Sequence, residues 1–401
     1  MSERTALGAG ERRPVVILNC GTIATGIAEH PVSDGDAIVV SGGLITQVGA
    51  GSDISIPGEA IIVDAKGMDL IPGLIDSHIH PVVGGDWTPR MSTVGWLASY
   101  AQAGITTAIS QGSWHQGGYP TDTVGMVALA ITLARVFKEF RPGRMKVHGA
   151  TVSLVDGLGQ SDFELLAQQG VWLISEIGSR SIIDPAVVRA MLDLAHPLGF
   201  ISRVHFGPEA VPGTHTITAS MASRMGGHIA SHVNGGPSSP PAEDLDFMVE
   251  QTDYFLELSY PGNHRALLRV AQRANDLGML GRLIAGSDTP TGAGILPRAI
   301  LGTIGLVATF TDIPVTDAIA IGTGNTARAY GINTGRIETG READVLLIDA
   351  PKGSLGSSGL ESLEIGDTPS VAFLMISGEI VSVGTQNTLP AKRQVVVDRP
   401  L

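Results

Sequence analysis

The 401-residue chain is 43% hydrophobic and 16% charged, a balance that supports a large buried core and excludes wholesale disorder. Its formal net charge of -13, without a block of Lys or Arg, argues against nucleic acid or an anionic membrane as the main partner. A single cysteine, Cys20, excludes an intrachain disulfide. The opening MSERTALGAGERR lacks the apolar stretch of a signal peptide, and no apolar run reaches the ~20 residues of a membrane helix, so the expectation is a cytoplasmic protein.

In chain order, short strands come first: PVVILNC (14–20), DAIVVSGGLITQVG (36–49) and AIIVDAKG (60–67), separated by Gly, Asp and Ser. The same texture returns in READVLLIDA (341–350), SVAFLMISGEIVSVG (370–384) and RQVVVDRP (393–400). Two β-rich ends around a different middle predict one small β-sandwich domain built from residues 1–68 and 334–401.

The middle, 69–333, alternates apolar β-branched runs with helical patterns. Strands are predicted at 70–80, 105–112, 145–154, 171–178, 201–207, 228–236, 252–260 and 282–290. Helices are predicted at 92–103, 121–140, 161–169, 184–198, 241–250, 263–279, 295–310 and 314–330. Continuously apolar strands covered by helices mean a parallel sheet. Eight such units in about 250 residues fit a (β/α)8 TIM barrel better than a doubly wound open sheet.

Barrel enzymes place their chemistry at the C-terminal ends of the strands. Strand 1 ends in His78 and His80, strand 4 in Glu176, strand 5 in His205, strand 6 in His232 and strand 8 in Asp288. Residues two apart on a strand share a face, so His78 and His80 aim together into the barrel mouth. Imidazoles with carboxylates suit Zn, Fe or Mn, and six such groups exceed the needs of one tetrahedral ion. Two divalent ions with Glu176 between them is the economical reading. Taken singly, each residue has a plainer account; Asp288 in GSDTP reads as a turn cap. Six ligand-type residues at one end of five strands make coincidence the weaker explanation. Asp76 shares the face of the histidine pair and fits either packing or orientation of a ligand. His148 reads as packed, His228 as structural, and His30, His196 and His264 as surface. His115 and His215 lie in loops on the active face, in reach of a substrate.

These residues carry a resemblance. IPGLIDSHIH followed by Glu176, His205, His232 and Asp288, with TGRIETGREADVLLID (334–349) returning to a β domain, resembles the amidohydrolase superfamily over nearly the whole chain. Many of its members bridge their metals with a carbamylated Lys on strand 4. Here the lysines, at 66, 138, 146, 352 and 392, leave none at that strand end, and Glu176 stands there instead. Within the carboxylate-bridged members, the enamide-opening ones are similar in GGDWTPR (84–90), KVHGA (146–150), GVWLISEIG (170–178), SHVNGGP (231–237), NTLPAKR (387–393) and, more loosely, GLESLEIGDTPSV (359–371).

The resemblance implies a Zn and Fe pair (or two Zn) held by His78, His80, Glu176, His205, His232 and Asp288. It implies hydrolysis of 6-oxo-1,4,5,6-tetrahydronicotinate to 2-formylglutarate and ammonia in nicotinate degradation, with a hydroxide shared by the metals and Asp288 as general acid and base. By analogy it also implies a homotetramer. A ring carboxylate calls for a cation, for which Arg90, Arg180 and Arg298 are candidates; Arg90 is preferred because Trp87 beside it can stack on a planar ring. The competing activities are those of an imidase, hydantoinase, lactamase or heterocycle deaminase, and, outside enzymes, a scaffold relative, which a complete ligand set disfavours.

Overall fold

The computed structural model describes residues 13–81, 96–112, 119–179, 182–209, 214–236, 238–290 and 294–398. Eight parallel runs form where the apolar pattern places them. They are β1 (Leu74–Ile79), β2 (Ile105–Ser110), β3 in two pieces (Lys146–His148 and Thr151–Val152), β4 (Leu173–Ile177), β5 (Ile201–His205), β6 (Ile229–Ser231), β7 (Phe255–Ser259) and β8 (Leu283–Gly286). Each pairs in parallel with the next, from β1–β2 through β7–β8. The circle closes through a parallel bridge between Ile79 and Thr289, with His80 N–H donating to Thr289 O at 2.8 Å and Asp288 N–H to His78 O at 2.8 Å. The strands are buried on both faces, as a helix-covered barrel requires.

The break in β3 has a packing cause. Helix Thr123–Glu139 presses Phe137 so closely on Gly149 that a Cβ there would lie 1.9 Å from the ring. Only glycine lets the strand pass, and pairing resumes at Thr151.

The covering helices begin where side-chain caps are available: Asp122 accepts from Gly125 N–H at 2.9 Å, Asp184 from Ala186 and Val187, and Asn263 from Ala266. Helix His264–Asp276 turns Ala266, Leu267, Val270, Ala271 and Ala274 inward, one stripe at helical spacing. Two short helices, Ala219–Met225 and Gly359–Glu364, were not among those predicted. Their one to two turns give too little periodicity to read.

The predicted first strand, 70–80, is two strands. Asp69–Pro72 pairs antiparallel with Val345–Asp349, outside the barrel, and the chain enters β1 only after Gly73. That segment belongs to a four-stranded sheet ordered Glu379–Val383, Ser370–Ile376, Val345–Asp349, Asp69–Pro72. A five-stranded sheet ordered Val396–Asp398, Ile61–Asp64, Val15–Leu18, Ala37–Ser41, Leu44–Gly49 joins both ends of the chain. One apolar cluster, including Ile17, Ile38, Val63, Leu347 and Phe373, fills the space between the two sheets.

An ion cluster ties this small β unit to the end of the barrel opposite the C-terminal ends of the strands. Lys146, the first residue of β3, pairs with Glu342 and with the fully buried Asp344. Asp344 also accepts from Thr334 Oγ1 at 2.5 Å and Ser377 N–H at 2.7 Å. Removing the cation strands a buried carboxylate, which typically costs 3–5 kcal/mol. Lys146→Met is therefore expected to lose about 3 kcal/mol in denaturant unfolding. A midpoint equal to that of the native chain would show that the cluster does not secure this junction.

Candidate metal centre

The C-terminal ends of β1, β4, β5, β6 and β8 bring all six ligand-type residues together. His78, His80 and Asp288 form one group and Glu176, His205 and His232 another, the donor atoms of each group lying within 4.8 Å of one another. Five of the six are buried, and Asp288 keeps 19% of its side chain open to the mouth. Glu176 lies between the groups: its Oε1 is 3.0 Å from His232 Nε2 and its Oε2 is 3.7 Å from His78 Nε2.

The far ring nitrogens decide which lone pairs face inward. His80 Nδ1–H donates to Gly112 O at 2.9 Å and His78 Nδ1–H to Glu257 Oε1 at 2.8 Å. Each ring then presents Nε2, and the two Nε2 atoms stand 3.0 Å apart. Two lone pairs aimed at one point repel unless a cation or proton lies between them. Asp288 Oδ1 completes this corner, 3.2 Å from His80 Nε2 and 3.5 Å from His78 Nε2.

In the other group, both ring nitrogens of His205 and Nδ1 of His232 are buried without a hydrogen-bond partner among the described residues. Such groups are costly unless something polar or charged meets them. The donor set of four imidazoles and two carboxylates, without thiolate, fits first-row divalent ions.

Charge coupling is strong here. Burial raises the Glu176 carboxyl, but His78, His205 and His232 outweigh it and hold it well below the usual carboxylate range. Burial likewise raises Asp288, and His78, His80 and His232 bring it below its ordinary value. Burial lowers His232, yet Glu176, Asp288 and Glu257 lift it to about 9. The carboxylates are thus poised to hold positive charge at this place.

Asp76 has a backbone task. Its Oδ1 accepts from His78 N–H at 3.0 Å and Ser287 N–H at 2.9 Å, linking β1 to the chain leaving β8. Burial pushes its carboxyl up to about 6.

Comparison with known proteins supports one family. Residues 266–382 match the model of the amidohydrolase family. An enamidase from Eubacterium barkeri is 39% identical over 378 residues, 94% of this chain and 98% of that one. The chain belongs to the amidohydrolase family. A crystal structure of enamidase, described as a new member of the amidohydrolase superfamily, superposes with a TM-score of 0.91 at 38% identity, covering 96% of this chain and 100% of that one. A putative prolidase from Bifidobacterium longum shares the fold, with a TM-score of 0.63 at 20% identity over 94% and 97% of the two chains.

This amidohydrolase is a hydrolytic enzyme with a TIM barrel, and its family uses divalent metals. Of the predicted substrate contacts, Trp87, Arg90 and His115 lie outside the described residues, as does Arg180. His215 is exposed and its N–H donates to Gly178 O at 3.0 Å, beside the end of the strand that carries Glu176. Arg298 is exposed at the start of helix Ala299–Phe310. His196, read as surface, is half-buried against His228, with ring centroids 4.1 Å apart. Among the described residues no helix is long and apolar enough to cross a membrane.

Two buried charges escaped the sequence reading. Glu257 on β7 and Arg203 on β5 form an ion pair directly behind His78. Opposite charges at the centre of two short barrel strands, ISRVH and FLELS, were the available signal.

His232 and Asp288 adopt left-handed backbone, with φ of 31° and 51°. Such strain collects at functional sites. Asp288→Gly removes both the strain and a partly buried carboxylate. In metal-stripped protein it is expected to raise unfolding stability by about 1 kcal/mol, while hydrolytic activity is lost. Destabilisation of the stripped variant would contradict this account of the backbone.

Proposed function

We propose that the chain opens a cyclic enamide, 6-oxo-1,4,5,6-tetrahydronicotinate, giving 2-formylglutarate and ammonia at a mixed Zn and Fe pair. The observation that carries this reading is the pair of three-residue groups joined by Glu176 in a chain alike to enamidase from end to end. His78, His80 and Asp288 would hold one ion, His205 and His232 the other, and Glu176 both.

When bound, the two ions supply a water of lowered pKa and polarisation of the amide carbonyl. Asp288 does the proton work. Held below its ordinary pKa, it starts as carboxylate, and its partly open side chain faces the mouth where the substrate enters. It takes a proton from the attacking water and returns it to the departing nitrogen as the C–N bond breaks. The carbonyl carbon gains the water oxygen and becomes a carboxylate. The released enamine tautomerises to an imine, and a second water converts the imine to aldehyde and ammonia.

The ring carboxylate is assigned to Arg90, with Trp87 as the stacking partner, from their order after the histidine pair. His115, His215 and Arg298 complete the proposed substrate contacts. A homotetramer is proposed by analogy alone.

Purified protein is expected to carry two equivalents of divalent metal by elemental analysis, to lose activity on chelation and to regain it on adding Zn and Fe. Asp288→Asn should lower kcat about 10³-fold. Ammonia should appear in step with loss of the ring. A chain that neither holds metal nor responds to it would overturn the reading, and amide cleavage without ammonia would replace the enamide by a simple lactam or imide.

A further inference from the structure

The buried Glu257–Arg203 pair does more than fill the barrel. Both side chains are essentially inaccessible, 0% and 1% exposed, and every oxygen of the carboxylate is used. Oε1 accepts from His78 Nδ1–H at 2.8 Å and from the backbone N–H of His232 at 3.0 Å. Oε2 accepts from the Ser77 hydroxyl and from Arg203 Nη1. Arg203 Nη1 also donates to Ser231 Oγ at 3.1 Å, and Nη2 donates to Ser77 O at 2.8 Å and to Tyr330 Oη. Nη1 also lies 2.9 Å from His78 Nδ1, whose proton is assigned toward Glu257 because the shorter contact is to a carboxylate that can only accept. The pair therefore grips β1 and β6 at the positions just before, or at, one ligand-type histidine of each group.

The packing behind it leaves no slack. A Cβ on Gly286 of β8 would lie 2.6 Å from Glu257 Cδ and 2.8 Å from His78 Cβ. Glycine at that point lets the carboxylate and the imidazole come together against the last strand.

We propose that Glu257 is a positioning residue for metal binding, with Arg203 fixing its carboxylate. Glu257 locks His78 as the tautomer whose Nε2 lone pair faces Asp288 and Glu176, and sets the backbone of His232 through the same oxygen. This rests on the metal reading of the six residues given above. A carboxylate behind a ligand histidine typically changes metal affinity 10–100-fold. A pair kept only for stability would behave differently: replacing both charges by apolar groups of similar volume is commonly tolerated.

The test uses the metal-loaded enzyme, chelator titration at fixed pH with elemental analysis, and unfolding of the stripped forms. Glu257→Leu is expected to release its metal at about 10–100-fold lower chelator than the native chain. Glu257→Gln, which keeps an oxygen for Nδ1–H, should fall between the two. The double variant E257L/R203M, which leaves no unpaired charge, should recover the unfolding midpoint of the stripped protein without recovering metal affinity. Native-like metal retention in E257Q and E257L, or in the double variant, would overturn the proposal. Native enzyme without metal would instead count against the metal reading itself.

Discussion

The seam between β1 and β8 is the contact on which the site depends. Two backbone hydrogen bonds, His80 N–H to Thr289 O and Asp288 N–H to His78 O, join segments about 210 residues apart and convert a curved sheet into a barrel. Because those bonds fall at the ligand-type residues themselves, closing the ring and assembling the corner of His78, His80 and Asp288 are one event. Asp76 adds a second tie across the seam, from its carboxylate to Ser287 N–H. Loosening the seam would therefore reach the chemistry before it reached the remaining strands, which pair with near neighbours in the chain.

Parity and strand position made much of the site legible. His78 and His80 stand two apart, and their Nε2 atoms do converge. Glu176 is the penultimate residue of its strand, His205 the last, and His232 follows the last, so the barrel rule placed them without knowledge of their contacts. The same reasoning failed where hydrogen bonding and not hydrophobicity divides the chain. LIPGLI (70–75) runs without a polar side chain across the division, yet Asp69–Pro72 finds its partner in Val345–Asp349 and Leu74–Ile79 in Ile105–Ser110. Periodicity records burial, and both halves are buried.

Glu257 and Arg203 were missed for a related reason. Strict alternation would send Ser77 and His78 to opposite faces, but the β1–β2 register slips between Asp76 and Ile79. Both side chains then reach Glu257. A register slip leaves no mark in a single sequence. What the sequence does show is an Arg and a Glu at mid-strand in neighbouring parts of one barrel, an arrangement that burial permits only when the two charges meet.

Charge balance connects this hidden pair to the proposed chemistry. Arg203 and Glu257 cancel, so behind the histidines the field is nearly neutral. In front, Glu176 and Asp288 contribute two negative charges, which the proposed pair of divalent ions would outweigh with four positive ones. That surplus would favour an anionic substrate and the negative charge that develops on a cleaved amide. Were Glu257 left without Arg203, a third carboxylate would offset part of that surplus from a buried position where screening is weak. In the proposed site the pair would let a carboxylate orient His78 while leaving the metal-loaded mouth positive, which would reconcile a chain of net charge -13 with the proposed carboxylate-bearing substrate.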